Sequence, residues 1–466
     1  MNPGHGRGIT TPGVVSRTGT LRRARRGSTF CRARGQVFAL LLPLLAALAA
    51  ALWWVLDTGQ GALEKQRLRN TADAAALAAA AWQAKALNFD ATTNRAIVAN
   101  EALIAQSVSL RGWSAYMDQL LMQGSLASAA VPYLGQAMLY LQRGWKILDR
   151  ALQPTLLAAE GSASLLNHDL ALAQRGMHES VPLLVNAVVR DVVTQNDSRY
   201  RVTVGSEVLL TEVAATWADF ASFYGGAWRW RQRDVVQRSL DGFTHERNWS
   251  LGILPGAPLG RLEKRGGTDL IDFDTWRAIE TLAMHQRRYL VFGRMREAVP
   301  IAWSGVQNGE LPLARGVHGG AFRVNPRTAR LAERQTRRGK GYLGLPSMWD
   351  LSAAQRAHFS PPVIVVRVAL PEEKRTGAAA ILGFDSLEGL DGRTHSLRSM
   401  SPLPMMAESA ATTSFSRPIP RVDGAREAPS LYSPYWRPRL THPSLTERLT
   451  LAVIDGDPLW LAGVPR

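Results

Sequence analysis

Twenty consecutive residues, Val37 to Leu56, carry no charge. At about 1.5 Å per residue such a run measures roughly 30 Å as a helix, the thickness of a bilayer's hydrocarbon core. Trp53 and Trp54 stand at its far end, where amphipathic rings favour the interface. Pro43 falls in its first turns, where a missing N–H costs least. Residues 1–34 hold eight arginines and no acidic residue. By the positive-inside rule this asymmetry keeps the N-terminus in the cytoplasm and sends the remainder across the membrane. Two other readings compete. Ala47-Leu48-Ala49 is A-x-A-like and would suit a cleaved signal peptide, but a secretory apolar core is usually about 7–15 residues, shorter than this run. The run could also be a buried core helix.

The net charge is +17, and residues 1–34 supply +8 of it, leaving +9 for the rest. An exported region of that balance suits an acidic surface such as lipid headgroups or cell-wall polymer. Nucleic acid is not an expected partner. The single cysteine, Cys31, precedes the apolar run, so the region beyond it can form no internal disulfide. Its stability must rest on buried apolar area, for which its length is ample.

The composition divides the chain into four parts. Residues 1–34 are rich in Gly, Arg, Ser and Thr and read as a disordered tail. Residues 36–87 read as one long helix or two nearly continuous ones, since the stretch after Gly61 is alanine-rich and free of Gly and Pro. Such a narrow helix can pack closely against another helix, or cap its own domain. Residues 88–184 continue in helical style, with Ile97, Leu103, Ile104, Val108 and Leu110 separated by the polar Asn94, Arg95, Asn100, Glu101 and Gln106. Further on, Leu134, Met138, Leu141, Trp145, Leu148 and Leu152 follow steps of four and three, nearly a heptad seam interrupted by Pro154 and Gly161; two helices of a bundle are expected here over an intermolecular coiled coil.

From about residue 185 onward an α+β domain with an antiparallel sheet is expected. Strands are expected at Tyr200–Gly205, Arg288–Phe292, Pro361–Leu370 and Ala410–Arg417. A short helix is expected at Asp274–Gln286, and a long Gly- and Arg-rich loop at 305–347.

Catalytic signatures are missing from the sequence. His178-Glu179 and His245-Glu246 lack the second histidine of a zinc helix. No G-x-S-x-G elbow or Walker loop occurs. Gly339-Lys-Gly341-Tyr-Leu-Gly344 matches the dinucleotide fingerprint in letters only. Arginines precede it where a buried strand is required, and Pro346 follows where a helix should open, so a flexible basic loop is expected. No cofactor, metal or catalytic residue is assigned. One aromatic–basic cluster remains: Trp217, Phe220, Phe223, Tyr224, Trp228, Arg229, Trp230, Arg231 and Arg233. Trp217, Phe220 and Tyr224 have the spacing of a helix core. For Trp228, Arg229, Trp230 and Arg231, surface contact with a glycan or headgroup competes with a half-buried strand.

The N-terminal pattern resembles the TadE/TadG-like proteins of Flp (tight adherence) pilus assembly. The resemblance rests on Arg34-Gly35-Gln36-Val37, the apolar run with its early Pro43, Arg67-Leu68-Arg69-Asn70, and the alanine box with Asn70, Asp73, Ala76 and Leu77. Leu431 to Trp436 is similar to the C-terminal end of longer proteins in this group. The resemblance implies a non-enzymatic, single-pass inner-membrane protein with its bulk in the periplasm. Its implied partners are other pilus-assembly proteins or pilins. Leu40 stands where a processed pilin would carry a glutamate, which argues against a filament subunit. The competing functions are an envelope adhesin for glycan or headgroups, and an envelope enzyme with an unrecognised site.

Overall fold

The computed structural model describes residues 36–131, 133–252, 260–287, 294–309, 322–375 and 404–457. The tail expected at 1–34 and the strand expected at Arg288–Phe292 lie outside them. The chain divides at Gln60/Gly61 into two units. In the first, residues 36–60 are helical and the apolar side chains from Leu40 to Leu56 are almost all exposed.

The second unit is α+β. Helix α1 (Gln36–Ala127) runs without a break through Leu87, so one helix stands where one or two were expected. Its partner α2 (Leu134–Asn196) also contains no break. Pro154 and Gly161, expected to interrupt it, are internal to the helix. The lost hydrogen bond at Pro154 is offset by ties on either side, from Asp149 to Ser114 (2.8 Å) and from Glu160 to Arg111 (2.8 Å). Strand β1 is only Arg201–Val202. Thr203 then caps the next helix by accepting from the Ser206 N–H, which truncates the longer strand expected there.

After β1 come α3 (Val204–Phe220), β2 (Ala221–Tyr224), a short 3-10 turn (Gly226–Arg229), α4 (Trp230–Arg238) and α5 (Gly242–His245). Strands β3 (Trp249–Gly252), β4 (Gly260–Ile271), β5 (Thr275–Arg287) and β6 (Met295–Gly309) follow, then α6 (Pro326–Arg334) and β7 (Arg337–Gly339). The chain continues with β8 (Met348–Leu351), α7 (Ala353–Ala357), β9 (Val363–Leu370), β10 (Met405–Phe415), β11 (Trp436–Thr441) and α8 (Leu445–Ile454). Among the described residues the strands form three sheets, ordered β1-β9-β10-β11, β2-β8 and β3-β4-β5-β6-β7, in which every pairing is antiparallel except β6 with β7. The strands expected at 361–370 and 410–417 are present as β9 and β10.

Two expectations are corrected. Asp274–Gln286 is not a helix; nearly all of it lies in β5. This strand is buried on both faces, so it shows no polar alternation. Trp276 and Leu282 face α1, while Ile279 packs with Ala329 and Ala332 of α6. Residues 305–347 are not one long loop. Their described part contains the end of β6, the helix α6 with Pro326 in its first turn, and β7. The fingerprint-like Gly339–Gly344 opens no helix. Tyr342 and Leu345 are buried, so the segment is packed rather than loose.

The alanine box of α1 occupies the centre of the largest core. Ala72, Ala75, Ala76, Ala79 and Ala80 are fully buried in one cluster with Val181, Val185 and Val189 of α2 and with Ile364, Val366 and Val368 of β9. Both packing expectations therefore hold for the box, since it meets another helix and caps its own sheet. Ala76→Leu should cost about 1–3 kcal/mol by overpacking. The exposed neighbour Leu77→Ala should stay within about 0.5 kcal/mol. Chemical denaturation of the two variants checks this, and equal costs would contradict the packing.

Candidate functional site

Beyond the alanine box, α1 carries a row of buried or half-buried polar side chains that bond to α2, to β4, β5 and β8, and to the segment 431–436. Asn88 makes a paired contact with the Trp436 backbone, donating to its carbonyl (2.9 Å) and accepting from its N–H (3.0 Å). Asn94 donates to the carbonyls of Trp349 and Leu431 (2.8 Å each) and accepts from Gln174 (2.7 Å). Glu101 accepts from the indole N–H of Trp276, the hydroxyl of Tyr342 and the amide of Asn167, all at 2.9 Å. Ser109 meets Thr268 at 2.6 Å, and Arg111 meets Glu160 at 2.8 Å. Asn94 and Glu101, read from sequence as spacers between apolar positions, are thus fully buried anchors. Period alone could not reveal this, because a bonded buried carboxylate and a solvated one look alike in sequence.

At the middle of the row, His178 Nδ1 contacts Asp90 Oδ2 at 2.7 Å. The imidazole is sandwiched between Trp217 (centroids 4.7 Å apart) and Trp349 (3.9 Å). Burial pushes the Asp90 carboxyl above its ordinary range, against the pull of His178. The pair has the geometry of a base and its orienting acid, but indoles cover both ring faces and His178 Nε2 is buried. What the arrangement does is lock α1, α2, α3 and β8 together.

The aromatic–basic segment is neither a strand nor a free basic patch. Trp228 and Arg229 lie in the 3-10 turn, and Trp230 opens α4, so the half-buried strand reading is corrected. Each of the three arginines pairs with a group of the fold, although Arg231 itself is exposed. Arg229 donates to the Leu345 carbonyl and stacks on Phe273 at 5.0 Å. Arg231 pairs with the buried Asp350, and Arg233 donates to the Leu270 carbonyl at 2.7 Å. Trp228 is 78% exposed and Trp230 58%. Trp217 and Phe220 are core residues of α3, as their spacing indicates, but Tyr224 belongs to β2. Phe273, which Trp230 meets edge-on at 4.9 Å, sits in the β4–β5 turn at a φ of 67°, a left-handed position that bulky residues rarely take. The contacts of Arg229 and Trp230 help to hold it there.

Of the assigned span residues, Pro43 and Leu56 are exposed, as is Trp54, while Trp53 is half-buried; Val37 lies within the helix. Among the described residues one helix is long and apolar enough to cross a membrane, and the apolar window in it is wholly unburied. In the alanine box, Ala76 is core, Asp73 is half-buried, and Asn70 and Leu77 are exposed. The segment Leu431–Trp436 returns to α1, where Asn88 and Asn94 hold its backbone. Of the sequence-assigned sites, the structure therefore brings Ala76 into the core and leaves the two patch tryptophans on the surface.

Glu101 supplies a pH test. Burial pushes its carboxyl up to about 7 from an ordinary value of 4.5, with its three donors pulling the other way. The folded protein thus holds this proton to higher pH than the unfolded chain. Stability from this group is full below about pH 4.5 and is lost as pH rises through about 7, by up to about 3 kcal/mol. Glu101→Gln should lower stability by about 1–3 kcal/mol, because amide protons then face the Trp276 donor. It should also flatten the decline between about pH 4.5 and 7. Urea denaturation across that range checks this, and an unchanged slope would contradict it.

No curated protein and no solved structure matches the chain. Residues 35–82, which hold the apolar run and the alanine box, match the family model described as Flp pilus-assembly TadE/G-like. The N-terminal region, residues 35–82, is thus similar to the TadE/G-like domains of Flp pilus assembly.

Proposed function

We propose that the chain is a membrane-anchored, non-enzymatic structural or assembly component of a Flp/Tad-type pilus. It crosses the inner membrane once, with residues 1–34 cytoplasmic and the Gly61–Arg466 unit periplasmic. The observation that carries this reading is the family match over residues 35–82. The exposed apolar surface from Leu40 to Leu56 supports it, since such a surface is costly in water and favourable in lipid. Its partners are other pilus-assembly proteins or pilins. Leu40 in place of a glutamate favours a stationary anchor over a filament subunit.

A second reading draws on Trp228 and Trp230. Two exposed indoles beside an internally braced arginine set can stack on sugar rings, which suits contact with cell-wall polymer or lipid headgroups. It is compatible with the first, since an anchor in the envelope can also touch the wall.

Deleting the gene in its host should abolish surface pili in electron micrographs, and the full chain should restore them. A phosphatase fused after Leu87 should be active and an N-terminal fusion inactive. Unchanged piliation, or the reverse fusion pattern, would overturn the proposal. Binding of the full protein to cell-wall sacculi should fall at least tenfold in Trp228→Ala/Trp230→Ala if the second reading holds, and unchanged binding removes it.

A further inference from the structure

Helix α4 borders an open cleft of about 690 Å³. Small-ligand sites run from roughly 300 to 1,000 Å³. Trp230 and Gln237 of α4 line it, together with His245 of α5 and Asp269 of β4. Trp228 is not among the lining residues. The two exposed indoles of this segment therefore differ, since one stands at a concave site and the other on open surface.

We propose that this cleft binds an uncharged sugar ring of a glycan strand, with the Trp230 indole as its stacking platform. This assignment rests on the envelope contact proposed above for Trp228 and Trp230, and it selects one indole and one ligand class. Charge decides between sugar and lipid headgroup. The two arginines of the cleft are each answered by a carboxylate in its wall, Arg233 by Asp269 (3.2 Å) and Arg238 by Asp234 (2.9 Å). An anionic headgroup would have to compete with both carboxylates and then lie beside them, a like-charge contact that disfavours it. An uncharged ring meets no such penalty.

Hydrogen-bonding chemistry points the same way. A hydroxyl both donates and accepts, so a sugar needs groups of both kinds around it. The cleft mixes them: the carboxylates of Asp234 and Asp269 accept, the guanidinium groups of Arg233 and Arg238 donate, and the half-buried His245 ring can do either. Gln237 donates to Asp269 at 2.6 Å, while its own Oε1 has no partner among the described residues. The fold thus leaves an acceptor at the cleft wall for a ligand's donor, and a buried acceptor without a donor is costly.

The site is also held in place before any ligand arrives. Phe273 meets the Trp230 ring edge-on at 4.9 Å, and the Arg233 guanidinium lies over that ring at 5.6 Å. Gln232 ties α4 to the Met348 carbonyl of β8 (2.8 Å), and Arg233 ties it to the Leu270 carbonyl of β4 (2.7 Å). Fixing the indole and its polar neighbours in advance lowers the ordering cost of binding.

The test uses the full chain in a detergent that has no sugar head group. An N-acetylglucosamine tetrasaccharide should bind by calorimetry and should slow amide exchange over residues 230–245 and at Asp269. Trp230→Ala should weaken binding about tenfold, whereas Trp230→Phe should keep most of it and Trp228→Ala all of it. The exchange measurement needs no substitution, so it decides even where Trp230→Ala unfolds. No binding of the tetrasaccharide, slowed exchange away from the cleft, or loss in Trp228→Ala but not in Trp230→Ala would overturn the assignment. So would tighter binding of glycerol phosphate than of the sugar at these residues. If binding to sacculi persists in any of those cases, the assignment alone falls; if sacculi are not bound at all, the envelope contact falls with it.

Discussion

The Gly61–Arg466 unit depends on the burial of polar side chains along one face of α1. A helix that buries Asp90, Asn94, Glu101 and Arg111 must find a partner for each, because an unpaired buried polar group costs about 1–3 kcal/mol or more. Those partners come from α2, from the strands β4, β5 and β8, and from the Leu431–Trp436 segment. The long helix is therefore the element on which sequence-distant segments are registered. Apolar contacts alone would allow it to slide or rotate, and the bonds to Trp349, Leu431 and Trp436 backbones do not.

The N-terminal half of the same helix works by a different rule. From Ala72 to Ala80 the buried positions are alanine, and closeness of approach replaces side-chain bulk. Valines of α2 and β-branched residues of β9 fill the space that alanine leaves. The family match covers this part of the helix and stops before the polar row. The alanine box thus lies in the stretch that matches the TadE/G-like model by sequence and in the core of the larger unit by packing. A change in the box acts on stability first.

Some of this was legible in the sequence and some was not. The helix through the apolar run and the alanine box, and the strand β9, are legible because their composition favours one type of element: alanine a helix, β-branched residues a strand. Helix continuity past Pro154 was not legible, since it depends on Asp149 and Glu160 being held by partners far along the chain. Nor was β5, whose two buried faces erase the alternation that marks a strand. The apolar period from Leu134 to Leu152 is legible, but how that stripe divides is not. Trp145 meets Trp113 and Ser114 of α1, as an intramolecular pair of helices would, while Leu141 and Leu148 are exposed. The cluster of Trp228 and Trp230 is legible, whereas the pairing of Arg229, Arg231 and Arg233 depends on the sequence-distant Leu345, Asp350 and Leu270.

The central claim is that α1, from Ala72 to Ser109, is the core element of the larger unit rather than a surface stalk. Native-state hydrogen exchange measures this directly. Amides of Ala72 to Ser109 should exchange only through global unfolding, at the same free energy as those of β5 and β9. Exchange of this segment at a markedly lower free energy, while β5 and β9 stay protected, would contradict the account.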